Sequence, residues 1–309
     1  MNQIKFCIFS DYHYWKGNYP NAIEPLNEII EAAHCKKVDF IIQCGDLCHN
    51  APTAPELDVY LHNQYGIPVF NCLGNHELED AASLEAVCKT YGMKKNYEAH
   101  DINGFRLIIL DTNYFLSNDG TIKHQRPMTY GGDGPSGYLG DKQLEWLENQ
   151  ILTSSNPCIV FSHDSMESNI CSPDATRFRN IIRAANRKKR GSVLLCCNGH
   201  YHTNAVSVIE DVVYFDVNAT FNIFWNPNPI QLFPKSFCST ARMAAQCCYA
   251  KDPLYAIVTL EADGHIVIEG VKSEYLFGIS PESVNFDSAA NHRGRGADPN
   301  ILSADISLR

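Results

Sequence analysis

Residues 193–202 read VLLCCNGHYH: an apolar run, a turn pair at Asn198-Gly199, then His200 and His202 with one residue between them. Side chains at i and i+2 of an extended backbone point roughly the same way. Two neutral imidazoles aimed at one point suit a metal ion. A lone histidine after a strand has a plainer use, as a surface residue or a satisfied core residue. The other apolar runs of the chain decide between these uses.

Four of the five others also stop at groups that bind metals. Asp11, Tyr12 and His13 follow the first, Gly45-Asp46 the second, Gly74-Asn75-His76-Glu77 the third, and Ser162-His163 a later one. Any one of them has a bland account: Asp11 as a turn residue or cap, Asn75 as a turn after glycine, His13 or His163 as structural. Together they match what two divalent ions about 3.5–4 Å apart require for phosphoryl chemistry. One carboxylate must touch both ions, imidazoles supply neutral nitrogens, and an asparagine carbonyl adds an uncharged oxygen. Glycines beside the ligands let the backbone turn sharply and approach closely.

The elements that must position these groups follow a single plan. Segments 4–13, 38–46, 67–77, 105–113, 158–164 and 192–202 each carry a short run rich in Ile, Val, Leu and Phe, as fully buried strands do. Between them lie helical periodicities at 21–34, 81–91, 141–152 and 176–190. The last ends in RKKR before Gly191, where cations favour a helix C-terminus and glycine follows it. Beyond residue 202 the pattern is mostly β, with tight turns expected near Glu210-Asp211 and Asp263-Gly264. The stretches 113–140 and 222–250 read as irregular, and the last 25 or so residues as a loosely held tail.

Composition narrows the partners. The chain has 309 residues, 45% hydrophobic and 19% charged, with a formal charge of −10. A long nucleic acid is excluded as the main partner, because phosphate-backbone binding needs a basic face. A small phosphorylated ligand is compatible, since bound cations reverse the local field. No run reaches the ~18 apolar residues of a membrane span, and the N-terminus has no signal-peptide pattern. Thirteen cysteines without a repeated CxxC framework suit a reducing cytoplasm, with Cys196-Cys197 and Cys247-Cys248 as core residues.

In order, Asp11-Tyr12-His13, Gly45-Asp46, Gly74-Asn75-His76-Glu77, His163 and Gly199-His200-Tyr201-His202 resemble the D-x-H, G-D, G-N-H-E, H, G-H-x-H signature of the calcineurin-like metallophosphoesterase superfamily. The resemblance spans residues 11–202, and the strand pattern extends it to about residue 271. It implies an α/β (α+β) fold, a four-layer αββα sandwich of two mixed β-sheets flanked by helices. The domain would run over 1–275 with a C-terminal tail at 276–309. It also implies two divalent metal ions (manganese, iron or zinc), one held by Asp11, His13, Asp46 and His202, the other by Asp46, Asn75, His163 and His200. Asp46 would bridge, and a water or hydroxide between the ions would attack phosphorus. His76 would be catalytic, beside the substrate and not a ligand, with Glu77 orienting it.

Within the superfamily the tyrosine of the purple acid phosphatases is absent, since Gly45-Asp46 continues as Leu47-Cys48-His49. Motif order and YLGDKQLEWLENQ at 138–150 resemble the bacterial cyclic-nucleotide phosphodiesterase type. The implied substrate is a small phosphodiester or phosphoanhydride. The alternatives are a phosphomonoester or phosphoprotein on the same site, or a non-catalytic scaffold, against which the intact ligand set speaks. Phe221, Phe224 and Trp225 either stack on a base or pack onto the sheet, and His124, Arg126 and Tyr130 are candidates to reach a phosphate or sugar. His49 and the remaining histidines carry no assigned chemistry.

Overall fold

A computed structural model describes residues 2–16, 23–49, 55–79, 81, 83–125, 136–223, 228–285 and 298–308. Its N-terminal half alternates strand and helix: β1 (Gln3–Phe9), α1 (Glu24–Cys35), β2 (Phe40–Gln43), α2 (Asp58–Leu61), β3 (Val69–Asn71) and α3 (Leu84–Thr90). A hairpin follows, β4 (Glu98–Ile102) and β5 (Phe105–Ile109), then three short strands, β6 (Tyr114–Leu116), β7 (Ile122–His124) and β8 (Ser136–Tyr138). The alternation resumes with α4 (Asp141–Thr153), β9 (Cys158–Phe161), α5 (Ala175–Lys188) and β10 (Val193–Asn198). The rest is mainly strand: β11 (Ala205–Ile209), β12 (Val212–Asp216), α6 (Lys235–Cys238), β13 (Ala256–Glu261), β14 (His265–Gly270) and β15 (Ala304–Ser307).

The strands form two six-stranded mixed sheets, ordered β15-β14-β13-β1-β2-β3 and β11-β12-β10-β9-β5-β4, and one small sheet, β7-β6-β8. The second large sheet shows why the layers stack. Leu107, Ile109, Ile159, Phe161, Leu195, Cys197, Val213 and Phe215 join the core shared with the first sheet. Their neighbours Ile108, Cys158, Val160, Val193, Cys196, Val212 and Tyr214 pack instead with Leu144 and Leu147 of α4 and Phe178 and Ile182 of α5. Successive strand residues point to opposite faces, so each buried strand serves two cores and reads as a continuous apolar run. Phe161 crosses between the sheets, its ring 5.7 Å from Phe6 and 6.3 Å from Phe40. On the far side of the first sheet Phe9 meets Tyr60 of α2 at 5.6 Å. Two mixed sheets face each other with helices outside them, the expected fold.

Every strand expected to carry a motif is present, and all six point the same way within their sheets. β1, β2 and β3 run parallel, as do β5, β9, β10 and β12. Their C-terminal ends therefore gather the motif loops at one edge, where ligands sit in open α/β sheets.

Two expectations are corrected, and one element is added. The stretch 113–140 is not wholly irregular, because β6, β7 and β8 form a sheet within it. The polar segment after residue 285 is not simply a loose tail: Ala304–Ser307 pairs antiparallel with β14, Ile266 opposite Ile306, because alternate residues of β15 can cover the sheet edge while the others face solvent. The hairpin of β4 and β5 was not expected, and its turn at Asn103 and Gly104 has φ of 48° and 81°, the left-handed pair that an Asn-Gly turn supplies. Cys196 and Cys197 do pack on opposite faces, and the thirteen cysteines form no disulfide. Among the described residues no helix is long and apolar enough to cross a membrane.

Candidate metal centre

Five of the motif residues sit in left-handed backbone that non-glycine residues rarely adopt: Asp11 (φ 52°), His13 (53°), Asp46 (55°), His200 (70°) and His202 (49°). Such strain persists where surrounding bonds over-determine it, and it clusters at functional sites. Here the bonds are visible. The Asp11 and His13 amides donate to the carbonyls of Gly45 and Asp46 at 3.0 and 2.9 Å, tying the first motif to the second. The His200 amide donates to Asp11 Oδ2 at 3.0 Å, tying the last motif to the first.

The side chains converge in two groups. In the first, Asp11 Oδ1 lies 3.4 Å from His202 Nε2 and 3.9 Å from His13 Nε2, and the two Nε2 atoms are 3.1 Å apart. In the second, His163 Nε2 lies 3.2 Å from Asp46 Oδ2, 3.2 Å from Asn75 Oδ1 and 3.1 Å from His200 Nδ1. Asp46 Oδ2 is also 4.0 Å from His13 Nε2, so one carboxylate oxygen faces both groups. All seven residues read from the sequence as ligands are thus brought together. Asp11, His13, Asp46, His163 and His202 are buried, whereas Asn75 and His200 are partly exposed.

Proton positions follow from the partners. His163 Nδ1 faces the carbonyl of Cys44 at 2.8 Å, and His202 Nδ1 faces that of Asn222. A carbonyl only accepts, so each Nδ1 carries the proton and each Nε2 presents a lone pair. Burial holds His13 well below the ordinary imidazole value and lowers His200 as well. Burial would raise Asp46, but His163 and His76 hold it well below the usual carboxylate range. Burial pulls His163 down, yet Asp46 beside it holds it well above the ordinary value; a cation between the two would supply that positive charge in place of a proton. Asp11 Oδ1 is buried without a hydrogen-bond partner. Lone pairs and carboxylates aimed into one space fit divalent cations.

The motif glycines leave room for this. A Cβ on Gly45 would meet His163 Nδ1 at 2.2 Å, one on Gly74 would meet Asp46 Oδ1 at 2.2 Å, and one on Gly199 would meet Ser10 Oγ at 1.8 Å and Asp11 Oδ2 at 2.5 Å.

His76 is buried beside the two groups, with Nε2 3.9 Å from Asp46 Oδ2. Burial pulls its imidazole down, but Asp46 and Glu79 hold it above the ordinary value. Its expected orienting partner is corrected. Glu77 does not face His76. It accepts from the Asp46 and Gly74 amides at 2.9 and 2.6 Å through Oε2, and from the Cys48 amide and Tyr91 hydroxyl at 3.2 Å through Oε1. Burial and then the charge of Asp46 push Glu77 up to about 7, against donors that favour its charged form. Glu79 takes the expected place, with Oε2 3.0 Å from His76 Nδ1.

The sequence reading missed Glu79, His49 and Trp15. His49 Nδ1 is 2.8 Å from the same Glu79 oxygen, and the Trp15 ring stacks on His49 at 4.9 Å. Their one signal was proximity to the first three motifs. Asp164 Oδ1 lies 3.6 Å from His200 Nε2. His124 turns to Asp111 Oδ2 at 2.7 Å, which Asn96 also contacts at 2.6 Å. Phe221 is buried edge-on against Tyr12 at 5.7 Å, which is the packing alternative. Arg126, Tyr130, Phe224 and Trp225 lie outside the described residues.

Residues 4–204 match the family model described as calcineurin-like phosphoesterase. The chain belongs to that family. Curated relatives of this calcineurin-like phosphoesterase include the serine/threonine-protein phosphatase CPPED1 of Danio rerio, 26% identical over 190 residues, 55% of each chain. The CPPED1 of Homo sapiens is 24% identical over 196 residues, 57% of each. The match spans about half the length of either relative. Among solved structures, a dimetal phosphatase from Danio rerio superposes with a TM-score of 0.62 at 14% identity, covering 100% of both chains. GAP50, the anchor in the inner membrane complex of Plasmodium, gives 0.55 at 13% identity, covering 100% of this chain and 90% of that one. At such identities the likeness is one of fold, and a fold shared by a phosphatase and an anchor leaves function to the site.

Proposed function

We propose that this calcineurin-like phosphoesterase hydrolyses small phosphoesters with two divalent metal ions. The observation that carries it is the single oxygen Asp46 Oδ2 facing both His13 and His163, which suits a carboxylate shared between neighbouring cations. Asp11, His13, Asp46 and His202 would hold one ion, and Asp46, Asn75, His163 and His200 the other. Such ions stabilise charge on a phosphoryl group and activate water at neutral pH; nitrogen and oxygen donors of this kind suit manganese, iron or zinc.

The protein's own groups supply the rest. Cys44 and Asn222 carbonyls fix the histidine tautomers, so lone pairs face the cations. Glu77 holds the second and third motif loops together through backbone amides. His76, with Nδ1 beside Glu79 Oε2 at 3.0 Å, is placed to donate a proton from Nε2 to the leaving oxygen as the ester bond breaks. Its burial limits competing proton exchange with solvent.

A small phosphodiester is the favoured substrate, as motif order implies; the phosphatase names of the CPPED1 relatives favour a phosphomonoester as second reading. A bis-aryl phosphodiester and an aryl phosphomonoester, assayed in parallel after chelation and manganese restoration, separate the two. Metal-dependent diester turnover in excess supports the first, and monoester in excess the second. No turnover of either with two ions bound would contradict both.

A further inference from the structure

Behind the candidate ligand His13 stands a line of groups, of which the proposed reaction uses only Glu79, through His76. Glu79 Oε2 accepts from His49 Nδ1 at 2.8 Å. That bond puts the His49 proton on Nδ1 and leaves Nε2 as an acceptor. His49 Nε2 lies 3.4 Å from His13 Nδ1. The His13 ring turns its other nitrogen, Nε2, toward His202 Nε2 at 3.1 Å and Asp11 Oδ1 at 3.9 Å. His49 is only 11% exposed in its side chain and Glu79 26%, and the Trp15 ring lies over His49 at 4.9 Å and 23°.

We propose that Glu79 and His49 are positioning residues that fix the tautomer of His13. Glu79 orients His49, His49 accepts the His13 Nδ1 proton, and the His13 Nε2 lone pair is thereby committed to the metal. This rests on His13 being a metal ligand, as proposed above. The other three imidazole ligands need no such device, or a shorter one. His163 and His202 meet backbone carbonyls directly, and His200 has Asp164 near Nε2 at 3.6 Å. For His13 the outer shell is two side chains deep, and it ends on the same carboxylate oxygen that lies 3.0 Å from His76 Nδ1. One carboxylate therefore positions a ligand of one ion and the proton donor together.

The test is metal affinity, read apart from turnover. The full chain, stripped of metal, is titrated with zinc against a chromophoric chelator. Wild type should take up two ions. His49→Leu removes the acceptor without adding charge, and one ion should weaken about 10–100-fold, the usual cost of losing a ligand's outer partner. The ion held by Asp46, Asn75, His163 and His200 should keep its affinity. His49→Gln, whose side-chain oxygen can accept, should recover part of the loss, which a purely structural role for the ring would not predict. Glu79→Leu should weaken the same ion, and it carries the test if His49→Leu does not fold. Wild-type affinity for both ions in a folded His49→Leu or Glu79→Leu chain would overturn the relay alone. Three ions bound by wild type and two by His49→Leu would overturn it by making His49 a ligand. No ion bound by wild type would overturn the ligand reading beneath it.

Discussion

Gly74→Ala tests the site with the smallest possible change. Gly74 has an ordinary backbone conformation, so alanine brings no φ penalty, only a methyl group. That methyl would lie 2.2 Å from Asp46 Oδ1, 2.4 Å from the Asp46 amide nitrogen and 2.8 Å from its Cγ, whereas ordinary contact begins near 3.4 Å. Asp46 must therefore retreat by about 1.2 Å. It cannot do so freely, because its amide donates to Glu77 at 2.9 Å and its Oδ1 accepts from the His76 amide at 2.8 Å. Overpacking of this sort costs about 1–3 kcal/mol. Function should suffer more, since metal ligation tolerates about 0.2 Å and a 1 Å misplacement costs about 100-fold in rate. Because Asp46 faces both groups, both ions should weaken. Chelator competition, initial rates and thermal unfolding of the variant beside wild type read all three. Gly92→Ala is the converse control: its φ is +67° with nothing within 4 Å of the new carbon, so it should lose about 1–2 kcal/mol and keep both ions. A Gly74→Ala chain with wild-type metal affinity and rate would refute the placement of Asp46.

Glu77→Gln should destabilise by about 1–3 kcal/mol in denaturant unfolding: with its oxygen kept on the Asp46 and Gly74 amides, its amide nitrogen would face the Cys48 amide, a buried donor left unmet, while the Tyr91 hydroxyl can turn to accept; unchanged stability would contradict the loop-tying role. The His124–Asp111 pair sets a pH dependence. Burial pulls His124 down but Asp111 holds it above the ordinary value, while burial would raise Asp111 and His124 holds it below the ordinary carboxylate range. A raised histidine contributes stability in full below about pH 6.5 and loses it as pH rises through the folded value; a lowered aspartate contributes above about pH 3.9 and loses it as pH falls. The stability gap between wild type and His124→Gln should thus be widest at about pH 4–6.5 and shrink above it, and a gap that grows toward alkaline pH would contradict the pairing.

How much of this was legible in the sequence follows from what each residue must do. The motif strands were readable because each is buried on both faces and so is apolar throughout. The ligands were readable because chelating groups recur at the ends of five of the six runs, three times beside a glycine. His49 and Glu79 were not, since they act on a ligand from outside the motifs, and a histidine on a polar loop has no periodicity to mark it. The strands β6, β7 and β8 are three residues each, too short for alternation to register. The turn at Asn103-Gly104 was a readable hairpin signal, overlooked because β4, EAHDI, is polar. β15 depends on pairing with β14, some forty residues earlier in the chain, and nothing local announces it.

The most direct measurement is a manganese titration of the metal-stripped chain followed by electron paramagnetic resonance. Two ions sharing Asp46 would sit about 3.5–4 Å apart, so two equivalents should bind and give the spectrum of a spin-coupled pair, which Asp46→Ala should abolish. One equivalent, or two that give only isolated manganese signals, would contradict the shared centre on which the account stands.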